Sequence, residues 1–236
     1  MKISVVNGSP RKNGATAKVL KEVCRLLKEH EDVEIDYYDL SVIETKFCMG
    51  CSKCFANGKC IIKNDNIEKI SESIKKGDGV IFGTPTHGSN ISALLKNFID
   101  RGHFIVEQSL YNKKCMSVST YEIADGISAL KYLNKHFRVS GGHIAAKILV
   151  KTGLNIDPLN SKLNSQIKKE TNKLYNSIIK NHKKSIFEYI FNDIVVVNLV
   201  WRPYFKKNHL QYKGVIERYI KAGIHKSLTN SINKNK

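Results

Sequence analysis

Residues 2–27 read KISVVNGSPRKNGATAKVLKEVCRLL, and the fold class can be inferred from their pattern. Residues 3–7 are short and rich in β-branched side chains, which predicts a buried strand that enters a loop at Gly8. From Thr16 to about His30, apolar residues recur at helical spacing. A buried strand that leads through a glycine-bearing loop into a helix is typical of a parallel α/β sheet.

The same alternation continues along the chain. Further strands are predicted at residues 33–38, 79–83, 115–120 and 144–150. Helices are predicted after a cap at Asp65 or Asn66 and over residues 90–101, 127–137 and 162–180. Five strands alternating with helices predict an α/β fold with a doubly wound parallel sheet in the flavodoxin-like order 2-1-3-4-5. We assign this domain to residues 1–184 and a basic helical C-terminal extension to residues 185–236.

Composition sets the broad class. With 236 residues, 42% of them hydrophobic and 25% charged, the chain reads as a globular protein rather than a disordered, collagen-like or disulfide-scaffold one. The net charge is +18, and residues 145–236 carry +13 of it. Nucleic acid is not favoured as a partner, because only six of the 39 basic residues are arginine. Residues 186–201 are mostly apolar but too short for a membrane span, so a helix packed on the protein is favoured over membrane contact through residues 186–207.

Three loops at the carboxyl ends of predicted strands define the expected ligand site, residues 8–16, 84–90 and 119–126. The first opens a helix, whose free N–H groups and dipole favour a phosphate. It lacks the P-loop ending and the Gly-x-Gly-x-x-Gly spacing, so a monophosphate such as that of FMN fits better than a nucleotide with magnesium. The alternative is a plain strand–helix turn.

The second loop contains a Pro-Gly-bounded turn, Thr84-Pro85-Thr86-His87-Gly88, whose backbone can press against a flat ligand. His87 stands at its tip. A histidine in this position is as readily explained as a turn residue.

A cysteine-rich loop at residues 46–63, too irregular for a helix or a strand, carries the sharpest chemical signal. Cysteines at i, i+3 and i+6 with a fourth nearby are typical of ligands to an iron–sulfur cube; here they are Cys48, Cys51, Cys54 and Cys60. Zinc and a reversible dithiol are the next alternatives. The N-terminal residues do not form an export signal, so a cytoplasmic location and reduced thiols are expected. Cys24 and Cys115 fit ordinary core positions.

Together these motifs give the chain a resemblance to the NAD(P)H-dependent FMN reductase superfamily of flavodoxin-like proteins, and most of all to the iron–sulfur flavoproteins. Residues 8–16 match the loop that binds the FMN phosphate. Pro85 with residues 96–101 matches the second flavin loop and the helix after it. The four-cysteine loop matches the compact motif that binds a [4Fe–4S] cluster in that group. The resemblance covers about residues 1–150.

The resemblance implies FMN, a [4Fe–4S] cluster and NAD(P)H or a ferredoxin-like protein as electron donor, in a homodimer or homotetramer. Two positions depart from the usual pattern, Ala15 where Asn is common and His87 where an aromatic residue, usually Tyr, lies on the flavin. The implied metal ligands are the four loop cysteines. The implied cofactor-binding residues are Ser9, Arg11, Lys12, Asn13, Gly14, Ala15, Thr16, Pro85, Thr86, His87, Gly88, Ser89, Thr120 and Tyr121.

Three functions follow as hypotheses. The favoured one is an iron–sulfur flavoprotein that transfers electrons through FMN and the cluster, so that the cofactors carry the chemistry. The second is an NAD(P)H-dependent FMN or quinone reductase without a cluster. The third, of another class, is a basic module that binds nucleic acid or an anionic membrane.

Overall fold

The computed structural model describes residues 1–101, 108–153, 156–182 and 199–221, together with residues 186, 190 and 195. In this part of the chain the strands are β1 (Lys2–Asn7), β2 (Glu34–Asp39), β3 (Gly79–Pro85), β4 (Lys114–Tyr121) and β5 (His143–Lys151). The helices are α1 (Ala15–Leu27), α2 (Lys53–Asn57), α3 (Ile67–Lys76), α4 (Ala93–Arg101), α5 (Gly126–Val139), α6 (Ser161–Ile179), α7 (Arg202–Lys207) and α8 (Lys213–Lys221).

The strands form one parallel sheet in the order β2-β1-β3-β4-β5. The predicted flavodoxin-like α/β fold is therefore confirmed. The central strand β3 is buried along its whole length, because helices cover both faces of the sheet. In a sheet of this order the carboxyl ends of β1 and β3, which are neighbours, meet at one edge, and the loops that follow them lie side by side.

Two apolar layers hold the helices on the sheet. On one face α3, α4 and α5 pack around Phe82, whose ring lies 5.0 Å from that of Phe137 and 5.9 Å, edge-on, from that of Phe98. On the other face α1 and α6 contribute Leu20 and Ile167 to a second cluster. Both layers consist of the residues that the helical and strand periodicities place inward, which is why those patterns identified the elements.

The cysteine-rich loop differs from its prediction as an irregular segment, because it contains the short helix α2. Left-handed backbone at Ser52 (φ 56°) and at Gly58 (φ 65°) starts and ends this single turn. The turn is too short to leave a periodic signal. It is held from outside by α8, which packs against it.

Helix α4 begins at Ala93, three residues later than predicted. The preceding residues are used elsewhere, since His87 and Asn90 exchange backbone hydrogen bonds of 2.9 and 3.0 Å across a tight turn. The N–H of Ser92 donates to Thr84 Oγ1 at 2.9 Å. This tertiary bond fixes the helix start, and local sequence does not encode it.

The C-terminal part of the chain forms a small apolar cluster of its own. Phe205, Val215, Ile216 and Tyr219 are buried there, and Phe55 of α2 packs against them. The boundary at residue 184 remains a prediction. Most of the apolar segment 186–201 lies outside the described residues, and no helix in the described ranges is long and apolar enough to cross a membrane.

Replacing Phe82 by Ala should lower the free energy of unfolding by about 3–5 kcal/mol, because it leaves a void between two packed rings. Val42→Ala, at a side chain that is 63% exposed, is the matched control and should change it by less than about 0.5 kcal/mol. Urea denaturation of both variants measures the difference. Equal losses for the two variants would contradict the assignment of Phe82 to the core.

Candidate functional site

A cavity of about 460 Å³ opens at the carboxyl ends of β1, β3 and β4. We call it the strand-end cavity. Its volume is within the usual range for small-molecule sites. The predicted residues that line it are Ser9, Arg11, Ala15, Thr16, Pro85, Thr86, His87, Gly88, Ser89, Thr120 and Tyr121. All three predicted loops therefore contribute to one site.

The first loop presents unpaired backbone donors to this cavity. Helix α1 begins after Gly14, which has no side chain that could cap the helix. The first turn of α1 contains no acidic residue. The first N–H groups of a helix have no partner within the helix, so they are free for an anion. The loop is braced from below, since Asn7 Oδ1 accepts the N–H of Ser9 at 3.0 Å and Ser9 Oγ accepts the N–H of Arg11 at 3.1 Å.

Hydroxyl and charge contacts tie the first loop to the third. The hydroxyls of Thr16 and Thr120, both buried, lie 2.7 Å apart at the cavity floor. At the rim Arg11 Nη2 lies 3.6 Å from Glu122 Oε1, and the two side chains are 57% and 36% exposed. The guanidinium of Arg11 is thus held by a partly exposed carboxylate, a weak pairing that an anion can replace.

The second loop is a tight turn set by its backbone. Gly88 (φ 52°) and Ser89 (φ 61°) are both left-handed, and His87 is exposed at the tip. The N–H of Thr86 donates to the carbonyl of Thr120 at 2.7 Å, which fastens this turn to β4. Hydrogen bonds from Ser128 and then Ser89 hold the pKa of Asp125 below its ordinary value, so the turn is linked to the third loop as well.

Some of the predicted residues lie elsewhere. Asn13 and Gly14 line an adjacent cavity of about 330 Å³, which shares Arg11 and Ala15 with the first. Lys12 lines neither cavity. The N–H of Gly14 donates to the carbonyl of Arg11 at 2.9 Å, and this turn leaves the intervening side chains exposed.

The cavity also has lining residues that the sequence did not single out, Glu122, Ile123, Ala124 and Thr152. Three of them belong to the predicted third loop but have no distinctive chemistry. Thr152 directly follows β5, so the rule that strand ends share an edge could have found it.

The four cysteines of the loop line one pocket of about 380 Å³, which we call the cysteine pocket. Cys48 and Cys51 are exposed, whereas Cys54 and Cys60 are half-buried. Burial and the neighbouring thiols Cys60, Cys51 and Cys48 raise the pKa of the Cys54 thiol. Mutual repulsion of this kind disfavours several thiolates together unless a cation binds among them.

The donor set of this pocket is four thiols, the ligand type that binds iron–sulfur clusters. Among the described residues, no three His, Cys, Asp or Glu side chains converge closely enough to hold one metal ion. The pocket offers four cysteines around one space, with apolar contacts from Phe55 and Ile61.

Arg101 at the end of α4 fastens both ends of the cysteine-rich loop. Its Nη1 lies 2.5 Å from Asp65 Oδ2 and donates to the carbonyl of Lys46 at 2.5 Å, while its Nη2 donates to the carbonyl of Ile62 at 3.3 Å. The Asp65 and Arg101 side chains are 4% and 1% exposed. Burial alone would raise the pKa of Asp65, but the hydrogen bonds from Arg101 and from the backbone N–H of Lys46 outweigh it and hold that pKa low.

Asn97, one turn earlier on α4, completes this attachment. Its Oδ1 accepts the N–H of Cys48 at 3.2 Å, and its Nδ2 donates to the carbonyl of Lys46 at 3.3 Å. The start of the same helix is tied to the strand-end cavity, since Ser92 Oγ donates to the carbonyl of Gly8 at 2.5 Å and accepts the N–H of Leu95. Helix α4 therefore connects the strand-end cavity with the cysteine pocket.

Of the remaining two cysteines, Cys115 is a core residue, as predicted, and Cys24 is half-buried at the edge of the core. Cys115 is fully buried on β4, and Cys24 packs against the apolar layer under α1. Burial raises the pKa of the Cys24 thiol to about 12.

Comparison with known proteins bears on this geometry. The profile of the NADPH-dependent FMN reductase family matches residues 1–153. An iron–sulfur flavoprotein of Clostridioides difficile (strain 630) is 42% identical over 228 residues, which are 95% of this chain and 100% of that protein. An iron–sulfur flavoprotein of Methanocaldococcus jannaschii is 36% identical over 101 residues, 43% of this chain and 51% of that protein.

Solved structures support the fold. An NADH:FMN oxidoreductase in its apo form is similar with a TM-score of 0.59 at 19% identity, over 75% of this chain and 89% of that one. An FMN-dependent NADH-azoreductase from Bacillus anthracis, solved with FMN, has a TM-score of 0.52 at 14% identity, over 77% of this chain and 99% of that one. At such identities the likeness concerns the fold.

Replacing Arg101 by Met should lower the free energy of unfolding by about 3–5 kcal/mol, because the buried Asp65 carboxylate loses its counter-charge. Lys96→Met is the matched control on the same helix, since it breaks an ion pair with Asp100 that is about 40% exposed. We expect a loss below about 1 kcal/mol for the control. Urea denaturation of the metal-free protein measures both. A loss for Arg101→Met no larger than that for the control would contradict the clamp.

In the metal-free protein, Cys24 should react with iodoacetamide at pH 8 about a thousandfold more slowly than an accessible model thiol, because only about one part in ten thousand of it is thiolate. The rate should rise about tenfold for each pH unit, as long as the fold persists. Mass spectrometry of the labelled peptide follows the reaction. Cys51, which is exposed, is the internal comparison. Equal rates for the two thiols at pH 8 would refute the assignment of Cys24 to the core.

Proposed function

The chain belongs to the NADPH-dependent FMN reductase family and is an FMN-dependent oxidoreductase, and from that premise we propose that it is an iron–sulfur flavoprotein that passes electrons between a donor and an acceptor through FMN and a [4Fe–4S] cluster. One observation carries the proposal. Four cysteines line a single pocket, and helix α4 connects the loop that holds them with the cavity at the strand ends.

FMN, when bound, accepts a hydride and can release its two electrons one at a time. In this proposal the free N–H groups at the start of α1 donate to the phosphate, and Arg11 exchanges Glu122 for it. Ser9 and Thr16 supply hydroxyl groups beside these donors. The turn at His87 forms the opposite wall, where its exposed imidazole can lie along a flat ring.

A [4Fe–4S] cluster, when bound, transfers single electrons. Cys48, Cys51, Cys54 and Cys60 would be its ligands. The clamp at Arg101 keeps the two ends of the loop together, so the four thiols stay around one space even before metal arrives. Such preorganisation reduces the ordering cost that a flexible loop would add to metal binding. A ferredoxin-like protein or NAD(P)H is the proposed donor, and a homodimer or homotetramer the proposed assembly.

Cys51→Ala should abolish iron binding while flavin binding persists, because it removes a cluster ligand and leaves the strand-end cavity intact. The measurement is an anaerobic absorption spectrum with iron and acid-labile sulfide counted on the same sample, and about four irons per chain are expected for the unaltered protein. Cys24→Ala is the matched control and should retain both cofactors.

Two other outcomes would contradict the proposal. Unchanged iron in Cys51→Ala would refute the ligand assignment. Flavin bands without iron in the unaltered, anaerobically prepared protein would refute the cluster and favour an NAD(P)H-dependent FMN or quinone reductase with free or zinc-bound thiols.

A further inference from the structure

The middle of the cysteine-rich loop lies against the C-terminal helix α8. Between residues 46 and 63, Gly58 alone is fully buried, and it is buried by Gly214. A Cβ atom added at Gly214 would lie 1.9 Å from the backbone nitrogen of Gly58 and 2.4 Å from the carbonyl carbon of Asn57. Real Cβ atoms do not approach so closely, so the two backbones touch only because both positions are glycine.

Arg218, one turn further along α8, binds the same point. Its Nη1 donates to the carbonyl of Gly58 at 2.7 Å, and its Nε donates to Gln108 Oε1 at 2.9 Å. Gln108 is itself fixed, because its Nε2 donates to the carbonyl of Val215 at 3.3 Å. The guanidinium is thus held in one orientation while it fastens the loop backbone.

An aromatic contact adds a third attachment. The ring of Phe55, next to Cys54 in the chain, stacks on Tyr212 with the centroids 5.2 Å apart. Phe55 and Gly58 both lie between Cys54 and Cys60, the two half-buried thiols. Helix α4 holds the ends of the cysteine-rich loop, and α8 holds the segment between its third and fourth cysteines.

We propose that α8 is part of the cysteine site, with Arg218 as a positioning residue that sets where Cys54 and Cys60 stand relative to Cys48 and Cys51. The role of Arg218 in metal binding rests on the proposed cluster, whereas the contacts between α8 and the loop do not depend on it. Residues 1–153 match the family profile, and α8 lies outside that region. The helix that packs on the middle of the loop therefore comes from outside the region that matches the family profile.

Docking of α8 and metal binding by the cysteine-rich loop are coupled in this proposal. If docking of α8 favours the loop conformation that binds metal, then metal in the loop must favour the docked α8 by the same factor, because linkage is reciprocal. A partner that displaces α8 would accordingly weaken metal binding without touching a ligand.

The test compares Arg218→Met with Arg202→Met, an exposed arginine of the same extension. In the metal-free protein, hydrogen exchange of residues 54–59 should become about tenfold faster in Arg218→Met, since a charge-assisted hydrogen bond that closes the segment is lost. Exchange in β3 should not change. Arg218→Lys should recover part of the protection, because one ammonium can reach one of the two acceptors.

The second measurement uses protein that contains iron. Iron release to a chelator should be about tenfold faster in Arg218→Met than in Arg202→Met, and metal loading should slow exchange in residues 213–221 of the unaltered protein. Gly214→Ala, which removes the backbone contact instead of the charge, should act in the same direction.

Exchange and release equal to those of the Arg202→Met control would overturn the inference. Exchange that is faster to the same degree in β3 as in residues 54–59 would also overturn it, as a general loss of stability. Failure of the cluster proposal looks different. The unaltered protein then binds no iron, while Arg218→Met still loosens residues 54–59 in the metal-free state.

Discussion

The guanidinium of Arg101 is buried at the end of α4, and the cysteine-rich loop depends on the bonds it makes. A buried charge is costly unless each of its donors finds an acceptor. Here the Asp65 carboxylate and the carbonyls of Lys46 and Ile62 accept from the two Nη atoms, and all three belong to the loop or its flank, whereas the buried Nε has no hydrogen-bond partner among the described residues. Because the start of α4 is fixed to Gly8 through Ser92, the same helix relates the loop to the turn that follows β1. One rigid element therefore sets the position of both candidate sites.

Much of this arrangement follows from local sequence. The order of strands and helices, the three loops at the strand ends and the four cysteines are visible because period, glycine positions and cysteine spacing are short-range signals. The predicted start of a helix was wrong where a tertiary hydrogen bond sets it. The N–H of Ser92 donates to Thr84 Oγ1, so Ser92 lies before the first residue of α4. The short helix α2 was missed because one turn has no period.

The arginines illustrate what composition cannot tell. Their small number argued against a nucleic-acid surface, because arginine supplies most bidentate contacts to phosphates and bases, and that reasoning considered only contacts to a partner. Two of the six, Arg101 and Arg218, hold the cysteine-rich loop, since a guanidinium presents its donors in a rigid planar fork that fixes the directions of several hydrogen bonds. Their partners lie 36 to 160 residues away in sequence. Hydrogen bonds between residues so far apart in sequence depend on the complete fold, so no local sequence pattern predicts them.

The contact between Gly58 and Arg218 spans 160 residues. A ribosome adds about 5–20 residues each second, so the cysteine-rich loop leaves it roughly 10–30 s before the helix that packs on Gly58 is made. During that interval the sheet can form and α4 can already gather the ends of the loop, but its middle stays open. The order of synthesis thus leaves a period in which the segment between the third and fourth cysteines has no helix against it, and completion of α8 ends that period.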